Sequence, residues 1–497
     1  MKLAELLAGT TDLPAAALPD VEVTGLAYDS RRVRSGDLFF ALPGLRHDGA
    51  TFVAAAFERG ARAAVAGGAL ELPPDARERT IVRVADPRRA MGEAACRFHG
   101  HPSRAMKVVG VTGTNGKTTT TYLLEGVFRH AGWRPGILGT TGVRIGDELR
   151  PSAFTTPEAP ELQALLRDMV GAGVAAVAME VSSHALAQRR SQGLECDVAV
   201  FTNLTHDHLD FHGTLERYLD AKLMLFDGRN AEHSAKPLRA AINLDDPRAA
   251  TVLDASHRGR AETWTFGASA AARVRIEALE VEPRGLRFTF VEAGARTPVR
   301  LARLGRFNAW NAAAAFASAR ALGLEAGDAV AGIESAPAVP GRLERIEAGQ
   351  PYEVVVDYAH SPDALERSLA AVREHTHGRV LVVFGCGGDR DRAKRPVMGS
   401  VAERGADVAW VTNDNPRSED PAAIAREIAA GMGTAPRIVL DRRDAIAESL
   451  AAAVAGDVVL IAGKGHESTQ TIGDRVLPFD DREVARELLR ARAGAGR

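Results

Sequence analysis

Residues 107–132 read KVVGVTGTNGKTTTTYLLEGVFRHAG, and this stretch decides the fold. KVVGVT has the length and β-branched apolar content of a buried strand. TTTTYLLEGVFRHAG reads as a helix. Between them lie Gly113, Thr114, Asn115, Gly116, Lys117, Thr118 and Thr119. Glycines let the backbone curl so that its N–H groups face phosphate oxygens, and the helix N-terminus adds its dipole. Lys117 has the reach for β- and γ-phosphates, and the Thr118 hydroxyl suits magnesium. The spacing misses the strict phosphate-loop pattern, whose first glycine falls at Val111; the nearest glycines are Gly110 and Gly113. Strand, glycine turn, GKT and helix in this order point to ATP binding. That alone permits a kinase, a motor, a switch or a ligase.

Working outward, the texture repeats. VAAVAMEV, CDVAVFTNL and RAAINL are apolar runs separated by helical segments, which argues for a parallel sheet. RVRIEALEVEP and GLRFTFVEA read as an antiparallel hairpin, and FNAWNAAAAFASARAL as a helix. A Pro-containing stretch, SAPAVPGRLER, marks a boundary near 336. Beyond it YEVVVDYA, RVLVVFG, DVAWVTN and DVVLIAG alternate with helical segments, giving a second open α/β sheet. Ahead of Lys107, short β-like runs mix with Ala-rich helical stretches, and HPSRA around Pro102 reads as a linker. The 497 residues fit three domains of about 150 residues each, expected at 1–103, 104–335 and 336–497.

Composition narrows the class. Lysine plus arginine number 62 and aspartate plus glutamate 64, a formal charge of −2 that offers no reason to expect nucleic acid or an acidic membrane as partner. Three separated cysteines, Cys96, Cys196 and Cys386, fit a reducing compartment rather than a disulfide framework. The opening MKLAELLAGTTDLP has too short an apolar run for a signal peptide. No stretch approaches the roughly 20 apolar residues of a membrane span. A cytoplasmic location is expected. Of the 62 basic residues only seven are lysine: Lys2, Lys107, Lys117, Lys222, Lys236, Lys394 and Lys464. Each marks a place where an amine is a candidate requirement, because the two side chains differ in shape, hydration and ability to lose a proton. Lys2 and Lys236 read as chance survivors.

Glu180 ends VAAVAMEV. In an open parallel sheet the ligand crevice lies beyond the strand C-terminal ends, so Glu180 is expected beside the phosphate loop as a magnesium ligand. The next strand runs into THDHLDFH, with His206, Asp207, His208, Asp210 and His212. Zinc is a weaker reading there, since the usual spaced Cys/His ligands are absent; one histidine serving magnesium is more economical. Lys222, in TLERYLDAKLMLF, has an amine that can lose its proton and take up carbon dioxide as a carbamate, which guanidinium cannot. A solvated helical lysine is an equal reading of that residue taken alone.

GTNGKTT, EVSSHAL, FTNLTHDHLDFHG, the AK of YLDAKLMLF, GRFNAWN, PGRLER, DYAHSPDAL, GCGGDRDRAKRP, DNPR and GKGHE occur in this order across nearly the whole chain. Together they closely resemble the Mur ligase family, and within it the members that add diaminopimelate. The resemblance implies an α/β protein of three domains. These are a small N-terminal UDP-binding domain, a central P-loop ATPase sheet with an added antiparallel hairpin, and a C-terminal Rossmann-like domain that brings the amino acid. It implies a ligase of peptidoglycan precursor synthesis that joins meso-diaminopimelate to the D-glutamate γ-carboxylate of UDP-N-acetylmuramoyl-L-alanyl-D-glutamate. ATP, a pair of magnesium ions and carbon dioxide held as a lysine carbamate are the implied cofactors; a monomer is expected.

Residue by residue, the resemblance implies Lys117 and Thr118 at the ATP phosphates and magnesium, Glu180 and His208 as metal ligands, and Lys222 as the carbamylated lysine. It puts Asn308 at the adenine, and Arg342 toward the nucleotide with Asp357 and His360 nearby. Thr155, Thr156, Ser182, Gln188 and Arg190 match positions that hold the muramoyl-dipeptide and its diphosphate, and Ser30 the uridine end. Arg390, Asp414, Asn415, Pro416, Arg417, Gly463 and Glu467 match the diaminopimelate pocket. His206 departs from some relatives and receives no role. The implied chemistry is phosphorylation of the γ-carboxylate to an acyl phosphate, attack by the amine, and domain closure that excludes water. The competing readings are an amide ligase of the same fold, adding L-lysine or another acceptor, and a P-loop ATPase switch or motor.

Overall fold

The computed structural model describes residues 1–11, 13–44, 48–67, 79–152 and 154–495. Near the N-terminus Gly25–Ala27 (β1), Asp37–Ala41 (β2), Ala63–Gly67 (β3) and Ile81–Val84 (β4) form a parallel sheet in that order. All five residues of β2 are buried, as expected for a strand covered on both faces. The segment read as a linker is instead a packed 3₁₀ turn, Pro102–Ala105, with Pro102 and Ser103 buried. Arg104 Nε bonds Glu195 Oε1 at 2.7 Å, which fastens the turn to a loop 91 residues further along the chain.

The next strands are Lys107–Thr112 (β5), Pro135–Gly139 (β6), Gly142–Ile145 (β7), Glu148–Arg150 (β8), Ala176–Glu180 (β9), Val198–Phe201 (β10), Arg239–Asn243 (β11) and Glu262–Gly267 (β12). Their order in space is β12-β11-β10-β5-β9-β6-β7-β8, parallel as far as β6 and antiparallel at β7 and β8. Val108, Val109 and Val111 of β5 are fully buried, each stabilising the fold by about 1.5–3 kcal/mol. The chain leaves β5 toward β6 and β9 on one side, then resumes at β10 on the other. The crevice therefore opens at the end of β5, where the strand order reverses.

Contacts divide the described residues into two compact units. One holds Met1–Arg275 with Ala313–Ser335, the other Ile276–Ala312 with Ala336–Arg497. The strand Val274–Glu282 (β13) leads into the second unit, where Gly285–Glu292 (β14) and Ala295–Leu301 (β15) pair antiparallel. The helix expected from FNAWN spans Phe307–Ala321. The second unit's sheet uses Glu344–Arg345 (β16), Glu353–Asp357 (β17), Val380–Phe384 (β18), Val408–Val411 (β19), Arg437–Ile438 (β20) and Val458–Ala462 (β21), in the order β16-β17-β21-β18-β19-β20. All but β16 run parallel. A separate hairpin, Thr469–Ile472 (β22) with Arg475–Pro478 (β23), comes after β21. Cys96, Cys196 and Cys386 are buried and free. Among the described residues no helix is long and apolar enough to cross a membrane.

Candidate active site

The phosphate loop comes directly after β5. Gly113 and Gly116 have φ of +146° and +88°, backbone that glycine adopts without strain. Gly113 is also crowded: a Cβ there would lie 1.9 Å from Thr202 Oγ1. The helix Lys117–His130 starts at the loop, with Thr118 and Thr119 in its first turn. Lys117 Nζ folds back to donate to Gly113 O at 3.0 Å and Thr114 O at 2.8 Å. Asn203 Oδ1 accepts from Asn115 N at 3.0 Å, tying the loop to the segment after β10.

A second amine meets the first. Lys222, on the helix Leu215–Leu223, is buried and donates to the same Gly113 O at 2.8 Å. Its Nζ also lies 4.3 Å from the centre of the Tyr218 ring. Tyr218 is four residues earlier on the same helix face, a spacing that signals contact. From sequence it is indistinguishable from core. Burial, reinforced by the Lys117 charge, holds the Lys222 pKa well below the ordinary lysine value, against a smaller opposite pull from Asp207. His208 packs edge-on to Tyr218, with ring centres 6.0 Å apart. Burial lowers its pKa, so a neutral, ligand-competent imidazole is favoured. His212 is buried, bonds Ser183 Oγ at 3.0 Å, and is pushed down to about 4, chiefly by burial. His206 is exposed.

Glu180 ends β9 opposite Val111, two residues before Gly113. Thr140, which sequence reading misses, orients its carboxylate: N donates to Oε1 at 2.9 Å and Oγ1 to Oε2 at 3.1 Å. Thr140 Oγ1 is also 3.2 Å from Thr155 Oγ1. Thr156 Oγ1 donates to Glu180 O at 2.9 Å and accepts from Ser182 N at 3.2 Å. Arg190 reaches Gln188 Oε1 at 2.7 Å and Glu158 at 3.0 Å. Thr155, Thr156, Ser182, Gln188 and Arg190 are thus drawn together around the end of β9. Arg88, also missed, joins them through Glu158 Oε2 at 3.3 Å and Gln188 O at 3.2 Å. Ser30 lies elsewhere in this unit, opening a 3₁₀ turn capped by Asp29. Among the described residues no three His, Cys, Asp or Glu side chains form a metal-holding group. Thr118, Glu180, His208 and Lys222 mix hydroxyl, carboxylate, imidazole and amine, so the set becomes a strong cation site only if Lys222 gains negative charge.

In the second unit the candidates other than Asn308 gather at the C-terminal ends of β17, β21, β18 and β19. Arg342 stacks 4.8 Å over the Tyr358 ring, and its Nε has no hydrogen-bond partner among the described residues. Burial raises the Asp357 pKa, opposed by the Arg342 charge and by bonds from Ser368 and Leu343. His360 Nδ1 is 2.8 Å from Tyr358 O. Asn308 is buried, and its amide already bonds Leu304 O and Asn311 within its own segment.

After β19, Asp414 is buried with Oδ2 unpartnered among the described residues. Gly463, at φ +120°, keeps that oxygen clear: a Cβ would sit 2.6 Å from it. Asn415 Nδ2 donates to Glu467 Oε2 at 2.9 Å. Pro416 packs close on Gly388, where a Cβ would come within 1.9 Å of Pro416 O. Arg417 has φ +51° and sends Nη1 to Gly388 O at 2.8 Å. Arg390 is exposed, with its Cγ 3.8 Å from where a Gly387 Cβ would stand, a point that Arg417 Nη1 approaches to 3.0 Å. This crevice offers two carboxylates and two guanidiniums. A cavity of about 560 Å³ in the same unit lies at the opposite strand ends, lined by Arg345, Glu353 and His375, and contains none of these groups.

Three family models match the chain: "Mur ligase family, catalytic domain" over residues 22–99, "Mur ligase middle domain" over 111–319 and "Mur ligase, glutamate ligase domain" over 341–465. The UDP-N-acetylmuramoyl-L-alanyl-D-glutamate–2,6-diaminopimelate ligase of Geobacter sulfurreducens is 46% identical over 489 residues, 95% of each chain. The protein of the same name from Geobacillus thermodenitrificans is 45% identical over 475 residues, 95% of this chain and 96% of that one. A solved structure of a ligase of that name superposes with a TM-score of 0.72 at 34% identity, covering 99% of both chains. A MurF ligase from Thermotoga maritima in complex with ADP shares the fold, with a TM-score of 0.61 at 21% identity over 97% of this chain and 100% of that one.

Proposed function

The chain belongs to the Mur ligase family, and from that membership and the site geometry we infer that it is an ATP-dependent ligase of peptidoglycan precursor synthesis. It joins meso-diaminopimelate to the D-glutamate γ-carboxylate of UDP-N-acetylmuramoyl-L-alanyl-D-glutamate. The observation that carries this reading is the two-signed crevice of Asp414, Glu467, Arg417 and Arg390. An amino acid whose far end carries both an ammonium and a carboxylate needs both signs there, whereas an ATPase switch needs neither. The reading also assigns residues 1–103 to the UDP precursor, 104–335 to ATP and 336–497 to the amino acid, in a cytoplasmic monomer.

A carboxylate and an amine do not condense at neutral pH, because oxide is too poor a leaving group. Transfer of the ATP γ-phosphoryl to the carboxylate makes an acyl phosphate; the amine then attacks and phosphate departs. Lys117 turns from the loop carbonyls to the β- and γ-phosphates, where its charge and the loop N–H groups offset the repulsion between two anions. Magnesium, when bound, would supply further charge neutralisation; Thr118 and Glu180 would hold one ion and His208 and Lys222 the other. Thr140 fixes the Glu180 carboxylate for that task. Burial holds the Lys222 pKa down, so its free amine would be open to carbon dioxide; the carbamate, formed with loss of a proton to solvent, would supply the negative charge this ligand set otherwise lacks. Thr155, Thr156, Ser182, Gln188 and Arg190 orient the precursor beside Glu180, with Ser30 at its uridine end. The reading assigns Asn308, Arg342, Asp357 and His360 to the nucleotide.

The test is phosphate release from ATP with each substrate omitted in turn. Release is expected only when the UDP precursor and meso-diaminopimelate are both present. Turnover that ignores the amino acid would refute the ligase reading.

A further inference from the structure

Lys464 is one of seven lysines in a chain that otherwise uses arginine, and the scheme above leaves it without a part. It comes after Gly463 at the end of β21, and its side chain is fully buried. Its Nζ donates to Thr469 O at 2.6 Å and Glu467 Oε2 at 3.0 Å, and lies 3.4 Å from Asn415 Oδ1. Asn415 Nδ2 donates to that same Glu467 oxygen at 2.9 Å, while Asn415 Oδ1 takes Thr471 N at 2.9 Å. Three acceptors around one point match the three protons of an ammonium. A planar guanidinium is too large and wrongly shaped for that enclosure. Geometry thus accounts for a lysine at this position.

We propose that Lys464 is a positioning residue of the amino-acid pocket, locking the Glu467 carboxylate and the Asn415 amide so that a fixed anion meets the distal ammonium of the incoming amino acid. The proposal rests on the ligase reading and names what sets the selectivity of that same crevice. Burial alone would raise the Glu467 pKa; the Lys464 charge, the bonds from Asn415 and Lys464, and the His466 charge outweigh it and hold the carboxyl below its usual range. Arg442 also acts on Glu467 through its charge, and the Tyr358 hydroxyl, Asp414 and Arg342 share the neighbourhood. Among the described residues Lys464 alone forms an ion pair with Glu467.

Four variants test it: Lys464→Met, Lys464→Arg, Glu467→Gln and the double variant Lys464→Met/Glu467→Gln. Lys464→Met should raise KM for diaminopimelate by about tenfold or more, the equivalent of one ordinary charged hydrogen bond. KM for ATP and for the UDP precursor should not move. Without Lys464 the Glu467 pKa rises, so the acid limb of kcat/KM for diaminopimelate should shift to higher pH. Lys464→Arg should not rescue. The double variant leaves no unpaired charge in the enclosure and should match Glu467→Gln alone; multiplied losses would overturn the proposal. A ¹³C NMR titration of Glu467, comparing the unmodified chain with Lys464→Met, needs no substrate. A Glu467 pKa that stays put in Lys464→Met overturns the proposal whatever the amino acid proves to be. Phosphate release independent of any amino acid overturns the ligase reading and the amino-acid pocket with it, while the titration separately decides whether Lys464 fixes the Glu467 carboxylate.

Discussion

Gly113→Ala is the sharpest test of the phosphate loop, because two separate costs meet at one atom. The first is backbone strain: φ is +146°, a region nearly reserved for glycine, at about 1–3 kcal/mol for another residue. The second is a clash. The new Cβ would lie 1.9 Å from Thr202 Oγ1 and 3.1 Å from the backbone N and O of Asn203. Thr202 must turn away, giving up its 2.6 Å bond to Asn115 O, a loss of about 1 kcal/mol. If the loop escapes by leaving its binding conformation, the combined cost of about 2–4 kcal/mol weakens ATP binding by roughly 30- to 700-fold. Gly113 O also anchors both Lys117 and Lys222, so turnover should fall further than binding. Calorimetric titration with ATP measures the affinity, and thermal unfolding checks that the damage stays local. Thr202→Ala removes the 1.9 Å contact together with the bond that Thr202 otherwise gives up, so Gly113→Ala should weaken ATP binding less in a Thr202→Ala background than in the native chain. Native affinity in the single variant, or an equal loss in both backgrounds, would refute the reasoning.

Lys222→Ala should nearly abolish ligation, and short added carboxylates should partly restore it; an active Lys222→Arg enzyme would overturn the carbamate, since guanidinium cannot form one. The unmodified enzyme should prefer meso-diaminopimelate to L-lysine by about 10²-fold or more, because lysine leaves Arg417 unpaired. That preference, read as a ratio of kcat/KM, should collapse in Arg417→Ala, and equal use of both amino acids by the native enzyme would remove Arg417 from recognition. Arg442 and Asp481 form a fully buried pair with two 2.7 Å bonds, so Arg442→Met should cost about 3–5 kcal/mol, read as an earlier urea transition. Removing Asp481 as well, as Leu, should recover most of it; a single-variant loss under about 1 kcal/mol would contradict the burial argument.

The residues legible in the sequence are those whose chemistry is local. Gly113, Gly116, Lys117 and Thr118 lie within six positions of one another, and strand, turn and helix emerge from that order. Glu180 is reachable because a strand's C-terminal end is a fixed place in an open sheet. Thr140 and Arg88 are not, since nothing nearby in sequence says that they close on Glu180 and Gln188. Tyr218 looks like any aromatic on an apolar helix face until Lys222 and His208 are seen on either side of it. Lys236 reads as a chance survivor, yet its Nζ bonds Asp197 Oδ2 and Met106 O, both at 2.6 Å; these partners are 39 and 130 residues away. The linker expected at Pro102 is packed because Ser103 and Arg104 both bond Glu195, a partner about 90 positions along.

The hairpin of β22 and β23 bears on how amino-acid choice can be transplanted between enzymes. Gln470 Nε2 bonds Asp414 O at 2.9 Å, Thr471 N bonds Asn415 Oδ1 at 2.9 Å, Arg417 N bonds Thr471 O at 3.1 Å, and Gly473 N bonds Arg417 O at 2.7 Å. Asp-Asn-Pro-Arg is contiguous in sequence but is not a free-standing cassette. Its backbone shape, including the left-handed turn at Arg417, is dictated from a ribbon more than 50 residues downstream. A graft of the tetrapeptide alone would arrive without its mould. If that tetrapeptide sets the amino acid as proposed, a transfer of specificity would need residues 469–473 along with it.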